Sequence, residues 1–319
     1  MAFPPGLFFW KLRMVHSPET PAAWHVPLPP NFRASDILAF HARDREALAE
    51  QVGPDTLRKG FWWRGQPVCL QIDFAPGQAA VQWQAADSDP QRAAQAAAEI
   101  MPLVRRMLGL AQDVTAFETQ FADHALLGPV LRKQSGLRVP IAGTPFEALA
   151  WAIMGQQISV AAAVSLRRRL ILAADLRHAS GLYCHPHADQ VLALGLERLR
   201  AAGLSQSKAQ SLLAVAEAVQ SGALPLDDWA AAPQLPAAQI GQALRAITGI
   251  GPWTVSYTLL RGFGWLDGSL HGDVVVRHGI ARLLQTEVDQ ARAQAWLAPF
   301  APWRALVGAH LWAMQAVNA

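Results

Sequence analysis

The chain has 319 residues, 52% hydrophobic and 16% charged, with a formal net charge of +3. That apolar fraction excludes a disordered chain, the length allows two or three domains with separate cores, and no apolar run is long enough to span a bilayer. Two cysteines, Cys69 and Cys184, exclude a disulfide framework and a four-cysteine iron–sulfur cluster, and the weak positive charge permits a nucleic-acid partner without demanding one.

The apolar stretch Met1–Met14 has no basic run before it and no small-residue cleavage site, so it reads as part of the mature domain. Asp36 to Glu50 reads as a helix with Ser35 or Asp36 as N-cap. Val68, Leu70, Ile72 and Phe74 then alternate with Cys69, Gln71 and Asp73, the period of a half-buried strand. Turn signals flank it at Arg64-Gly65 and Pro76-Gly77. Ala79 to Gln84 reads as a further strand, and Asp89-Pro90 opens a long alanine-rich helix. Strands followed by one long helix predict an α+β domain over residues 1–112, a small antiparallel sheet with helices on one face.

From about Thr115 the strand signals stop, and residues 113–319 read as all-α, two helical lobes with a cleft between them. Thr144-Pro145-Phe146-Glu147 is a capping box with Pro at the first helical position, opening a helix to about Gly155. Ser159 begins the next helix, which runs through Arg167-Arg168-Arg169. Cys184, His185 and His187 lack a fourth ligand at metal-site spacing and read as a polar loop. Another helical pattern runs from Ser205 to Gly222, and Pro225 and Pro233 interrupt the chain after it. A helix containing Ile240, Leu244 and Ile247 then enters Thr248-Gly249-Ile250-Gly251, and a second, with Trp253, Tyr257 and Leu260 on one stripe, leaves it. Two helices joined by Gly-x-Gly expose backbone N–H groups suited to an anion, with glycines for the close approach and left-handed backbone of the turn. A Gly/Ser-rich loop follows, and then a lone acid, Asp273. The plainer reading is a simple inter-helix turn, with Asp273 capping a helix from Val274.

This stretch resembles the helix-hairpin-helix glycosylases of base-excision DNA repair, and further segments resemble the bacterial 3-methyladenine DNA glycosylase II type. Those segments are Gly155-Gln156-Gln157-Ile158-Ser159, Gly203-Leu204-Ser205 with Lys208-Ala209, Ala301-Pro302-Trp303-Arg304 with His310-Leu311-Trp312, and, loosely, Pro29 to Val52. The resemblance implies that Thr248, Gly249, Ile250 and Gly251 hold a DNA phosphate and that Gln156, Gln157 and Ser159 form a turn entering the minor groove. Gln157 then fills the gap left by a flipped base. Asp273 faces the sugar, and Trp253, Tyr257 and Trp312 line the base pocket, while Trp303 packs in the core. Here His271-Gly272 precede the acid, where relatives carry Pro or a β-branched residue, which puts its positioning in question. Asp267 is the competing acid on the same loop.

A base inside a duplex is reached by flipping it out. Many alkylated bases are cationic, and an aromatic face attracts a cation by roughly 0.5–2 kcal/mol. Breaking the N-glycosidic bond builds positive charge on the sugar, which a carboxylate stabilises or exploits by activating water. Bifunctional relatives attack with a hairpin lysine. Trp253 stands at that position, and no lysine follows Lys208, so a monofunctional glycosylase is expected. The expected partner is double-stranded DNA with a damaged base, bound by a monomer in the bacterial cytoplasm, with no membrane association. No metal or organic cofactor is expected, beyond a monovalent cation at the hairpin carbonyls. The rival readings are a glycosylase for an oxidised, deaminated or mismatched base, and a DNA-binding module without activity.

Overall fold

The computed structural model describes residues 24–85 and 90–316, so the stretch at Met1–Met14 and the helix-opening Asp89 lie outside the described residues. Five strands, β1 (Trp24–Pro27), β2 (Glu50–Val52), β3 (Thr56–Trp63), β4 (Gln66–Ala75) and β5 (Gln78–Ala85), form one antiparallel sheet in the order β1-β5-β4-β3-β2. The alternation at Val68–Phe74 lies within β4, whose hairpins turn at Arg64-Gly65 and Pro76-Gly77. Arg64 and Gly65 both have positive φ (46° and 80°), as a two-residue hairpin turn demands. Ile37 and Leu38 of α1 (Ala34–His41) and Ile100, Val104 and Met107 of α2 (Pro90–Met107) bury the sheet face carrying Leu57, Leu70, Ile72 and Val81.

Two expectations for this domain need correction. The first helix ends at His41, with Arg33 rather than Ser35 or Asp36 at its N-cap. Glu50, expected at its C-terminal end, is in β2. It is buried there against Lys59 and Arg167, and that ion pairing requires extended chain where the local sequence favours helix. Strand β3 was absent from the sequence reading because fully buried Lys59 interrupts its apolar pattern.

Beyond β5 the described residues form helices and isolated bridges only. The helices are α3 (Val114–Phe121), α4 (Gly128–Lys133), α5 (Pro145–Gly155), α6 (Val160–Ala174), α7 (Ala188–Ala201), α8 (Gln206–Gln220) and α9 (Leu226–Ala231), followed by α10 (Ala237–Arg245), α11 (Pro252–Phe263), α12 (Val274–Leu284), α13 (Gln290–Leu297) and α14 (Arg304–Ala316). Thr144, Ser159 and Ser205 cap α5, α6 and α8 through their hydroxyls, each cap contributing about 1 kcal/mol. The box at Thr144 is only half formed. The Glu147 carboxylate accepts from the backbone N–H of Gly143 and from Lys59 and Arg167 instead of returning to Thr144.

Two apolar cores organise this region. One gathers α5 to α11, with Phe146, Leu149, Leu212 and Leu244 buried. The other gathers α3, α4 and α12 to α14, with Phe117, Ile280, Leu306 and Leu311 buried. Helix α11 serves both: Val255 and Leu259 enter the first core, and Leu260 the second. The Cys184–His187 segment is not a solvated polar loop. His185 pairs with Phe61 beside β3, and Cys184 and His185 are buried, burial holding the His185 imidazole down to about 4. A closed set of two cations and two anions completes the joint: Lys59 and Arg167 each contact Glu50 and Glu147 at 2.6–2.9 Å.

Candidate DNA-contacting and base-recognition site

The turn between α10 and α11 is held from behind. Gly249 has φ 88°, and a Cβ there would lie 2.1 Å from Ser211 Oγ, so only glycine fits. Gly251 has φ −89° and open space around it, so its role is not a left-handed backbone but the bare approach to the N-terminus of α11. Ser211 donates to the Thr248 carbonyl at 3.0 Å. Thr248 and Gly249 are exposed, whereas the Ile250 side chain is buried in the first core, leaving only its backbone at the turn.

The segment 155–159 stands beside this turn, and its residues divide by role. Gln156, expected as a DNA contact, donates its amide to the Gly249 carbonyl (2.9 Å) and to Thr254 Oγ1 (3.0 Å), tying the two turns together. Ser159 uses its hydroxyl on the Ala162 N–H. Gln157 is the exposed tip, in left-handed backbone with φ 57°. Ile158 (38% exposed) and Val160 (62%) flank it as apolar shoulders. Lys208 donates to the Met154 carbonyl at 2.7 Å and anchors the end of α5.

Asp273 is the N-cap of α12 and half-buried. Its Oδ1 accepts from the backbone N–H groups of Val275 (2.9 Å) and Val276 (3.1 Å) and from the Trp312 indole (3.2 Å). Its Oδ2 accepts from the Trp253 indole at 3.0 Å. Asp273 thus caps its own helix and also accepts from two indoles of the aromatic cluster. The preceding Gly272 does not leave it loose, because four donors from three elements fix the carboxylate. Asp267 is committed elsewhere, in a two-point pair with Arg304 at 2.8 and 2.9 Å.

Trp253, Tyr257 and Trp312 do converge. The Trp253 and Tyr257 rings lie 5.2 Å apart and those of Tyr257 and Trp312 6.1 Å. Tyr257 is buried with Trp151, Ala163 and Val164, and the two indoles close over it. Trp303 packs against Phe117 and Phe121 in the second core. The sequence reading missed Trp151, which sits in an unbroken apolar stretch of α5, and Phe40, Arg43 and Arg261. Phe40 and Arg43 come from the sheet domain, and no spacing rule ties them to a site formed more than a hundred residues later.

Residues 150–297 match the HhH-GPD superfamily of base excision DNA repair proteins, and residues 25–144 match the AlkA N-terminal domain. The DNA-3-methyladenine glycosylase 2 of Escherichia coli K12 is 28% identical over 190 residues, 58% of this chain and 63% of that protein, a little under two thirds of its length. The DNA-3-methyladenine glycosylase of Bacillus subtilis 168 is 26% identical over 219 residues, covering 67% of this chain and 71% of that one. Among solved structures, a 3-methyladenine DNA glycosylase from Archaeoglobus fulgidus superposes with a TM-score of 0.75 at 21% identity, over 91% of this chain and 97% of that one. A Clostridium acetobutylicum 8-oxoguanine glycosylase/lyase bound to DNA reaches 0.71 at 14% identity, over 93% and 96%, a likeness of fold. The fold is that of the helix-hairpin-helix class of base excision DNA repair proteins. The chain thus carries an HhH-GPD domain of base excision DNA repair, preceded by an AlkA N-terminal domain.

Proposed function

We propose that this protein is a monofunctional DNA glycosylase that flips out alkylated bases, of the 3-methyladenine kind, from double-stranded DNA and hydrolyses the N-glycosidic bond to leave an abasic site. The observation that carries the reading is the Asp273 carboxylate, held by four N–H donors at the edge of an aromatic cage. A capping residue needs only the two backbone bonds; the two indole bonds aim it. Three donors load Oδ1 and one loads Oδ2, so Oδ2 keeps acceptor capacity toward the cleft.

In this reading the hairpin N–H groups at Gly249–Gly251 take a phosphate, and Gln157, with Ile158 beside it, enters the space the flipped base vacates. Gln156 contributes by holding the two turns at a fixed spacing rather than by touching DNA. The base lies against Trp253, Tyr257 and Trp312, which places its sugar at Asp273. As the bond to the base breaks, positive charge grows on the sugar and the carboxylate stabilises it, a preorganised effect that costs no reorganisation during reaction. Water then attacks C1′. A Schiff-base route needs an amine, but Trp253 occupies the hairpin position and the Lys208 ammonium is spent on the Met154 carbonyl.

The reaction requires no metal or organic cofactor. At the hairpin the carbonyls of Thr248 and Gly249 each accept one hydrogen bond, from Ser211 and Gln156, and each keeps a second lone pair with which a monovalent cation could be held. The protein acts as a monomer in the bacterial cytoplasm, at the nucleoid; no helix among the described residues is long and apolar enough to cross a membrane. The test is base release from methylated duplex DNA, with products identified by chromatography and borohydride trapping run in parallel. Free methylated base without a trapped protein–DNA adduct is expected. A trapped adduct would contradict the monofunctional reading, and no release would contradict the whole.

A further inference from the structure

One guanidinium stands between the sheet domain and the catalytic acid. Arg261 is on α11. Its Cζ lies 4.7 Å from the ring of Phe40, in α1 of the sheet domain, and 5.2 Å from the ring of Trp312, in α14. Trp312 is in turn the residue whose indole N–H donates to Asp273 Oδ1 at 3.2 Å. Phe40, Arg261, Trp312 and Asp273 therefore form one continuous line of contact from the sheet domain to the acid.

The sheet-domain end of this line is fixed. Arg43 gives its Nε–H to the Phe40 carbonyl at 2.7 Å, and its Cζ lies 4.0 Å from the Phe40 ring and 4.3 Å from that of Trp151 on α5. Arg261 itself donates from one terminal nitrogen to the Pro140 carbonyl at 2.9 Å. The next residue, Ile141, donates its N–H to the carbonyl of Met107, the last residue of α2, at 3.1 Å. The guanidinium is thus tied to the sheet domain twice, through the Phe40 ring and through the 140–141 segment.

No ion pair accounts for a charge at this place. Among the described residues no carboxylate pairs with Arg261, and its Nε is buried with no acceptor. Burial pulls Arg261 down to about 10 against the opposing Tyr257 hydroxyl, which leaves it charged at neutral pH. An apolar side chain of similar length would fill the same space without that desolvation cost. What the guanidinium adds is attraction to two aromatic rings at once, one from each domain. The Trp312 indole needs such a hold. Its bond to Asp273, at 3.2 Å, is at the long end of the N–H···O range, where a small turn of the ring breaks it.

We infer that Arg261 is a positioning residue: it clamps the Trp312 indole to the sheet domain's Phe40 and, through that indole, holds the Asp273 carboxylate in its working orientation. The inference rests on the glycosylase reading and gives the sheet domain a part in the rate of base release rather than in DNA binding.

The test is a double-mutant cycle on the full chain. Single-turnover release of 7-methylguanine from a duplex, and affinity for the same duplex bearing an abasic site, are measured for wild type, Arg261→Met, Trp312→Phe and the double variant. Arg261→Met should lower the release rate by about tenfold, with affinity close to wild type. In the Trp312→Phe background no indole bond is left to position, so Arg261→Met should change the rate by less than about twofold. Losses that multiply in the double variant would mean that Arg261 acts apart from Trp312 and would overturn the inference. So would an equal loss of rate and affinity in Arg261→Met, or no loss of rate. Should Arg261→Met fail to fold, Phe40→Leu decides: its loss of rate should vanish in the Trp312→Phe background, and a loss that persists there overturns the inference. Release of no base by the wild type would overturn the glycosylase reading and this inference with it; wild-type release with multiplying losses overturns this inference alone.

Discussion

The indole N–H of Trp253 donates to Asp273 Oδ2 at 3.0 Å, linking the first turn of α11, which leaves the hairpin, to the N-cap of α12. The hairpin that would hold the DNA backbone and the acid that would meet the sugar are therefore one mechanical unit. The Trp312 indole, from α14, closes the arrangement on Oδ1. A tryptophan at the hairpin combines two features: a donor to the acid, and a ring face that a lysine there would lack.

Trp312→Phe should separate those two contributions. The ring face is retained and the bond to Asp273 is lost. A hydrogen bond to a carboxylate contributes about 1.5–3 kcal/mol, so single-turnover base release should fall by roughly 10-fold to 100-fold. Affinity for DNA bearing an abasic site should change little. Equal losses of rate and affinity would instead indicate a packing role.

The two hairpin glycines should behave differently. Gly249→Ala collides with Ser211 and imposes φ 88° on a residue with a Cβ, so it should lower the melting temperature and weaken binding to all DNA, damaged or not. Gly251→Ala meets no atom of the protein. It should leave the melting temperature near wild type and weaken DNA binding alone. A melting temperature that falls as far in Gly251→Ala as in Gly249→Ala would refute the assignment of the two roles.

Lys59→Met should be severely destabilising, because it strands two buried carboxylates on one arginine. Breaking a buried pair from one side typically costs about 3–5 kcal/mol. Denaturant unfolding would measure it, and a change within experimental error would mean the cluster is hydrated.

Stability should fall steadily with acid. Burial and the nearby Lys59 hold His41 down at about 3, and burial, with Arg33 adding to it, holds His310 near the same value. Both, with His185, are neutral in the fold but take up a proton in the unfolded chain below about 6.5. Their contribution is therefore fully present above about 6.5 and is lost as pH falls toward 3. Burial raises Glu50, but Arg167 and Lys59 outweigh it and hold the carboxyl at about 2. Its contribution is present above the ordinary carboxylate range and lost as pH falls toward 2. Melting temperatures measured between pH 7 and 4 should decline throughout; a flat profile would contradict these assignments.

The helical half was largely legible in the sequence because its signals are local. Thr144, Ser159 and Ser205 announce helix starts by chemistry that acts within three residues. Gly249 marks a turn, and the interval from Trp253 to Asp273 was read through the resemblance. The sheet domain was less legible. Lys59 is a charge in the middle of a buried strand and makes sense only beside Glu147, 88 residues later. Glu50 lies in a helix-favouring segment and is drawn into a strand by Arg167, 117 residues later. The site shows the same division. The aromatic stripe on α11 follows from helical spacing, whereas Phe40 and Arg43 reach it only through packing between domains, and Trp151 only through the packing of α5 against α11. Gln156 was read as a DNA contact, and its amide nitrogen also holds the neighbouring hairpin, a partner that nothing local in the sequence announces.

The measurement that bears most directly on the account is single-turnover base release by Asp273→Asn, alongside its affinity for the same damaged duplex. Asparagine retains the size and the Oδ1 acceptor for the Val275 and Val276 N–H groups, so the fold and DNA binding should survive. It removes the negative charge and sets an amide against the Trp253 indole. Release should fall by about 10²-fold or more, with affinity within a few-fold of wild type and with Asp267→Asn, which breaks only the Arg304 pair, far milder. Normal turnover by Asp273→Asn would show that the bond is broken without this carboxylate, and the role assigned to Asp273 would fall.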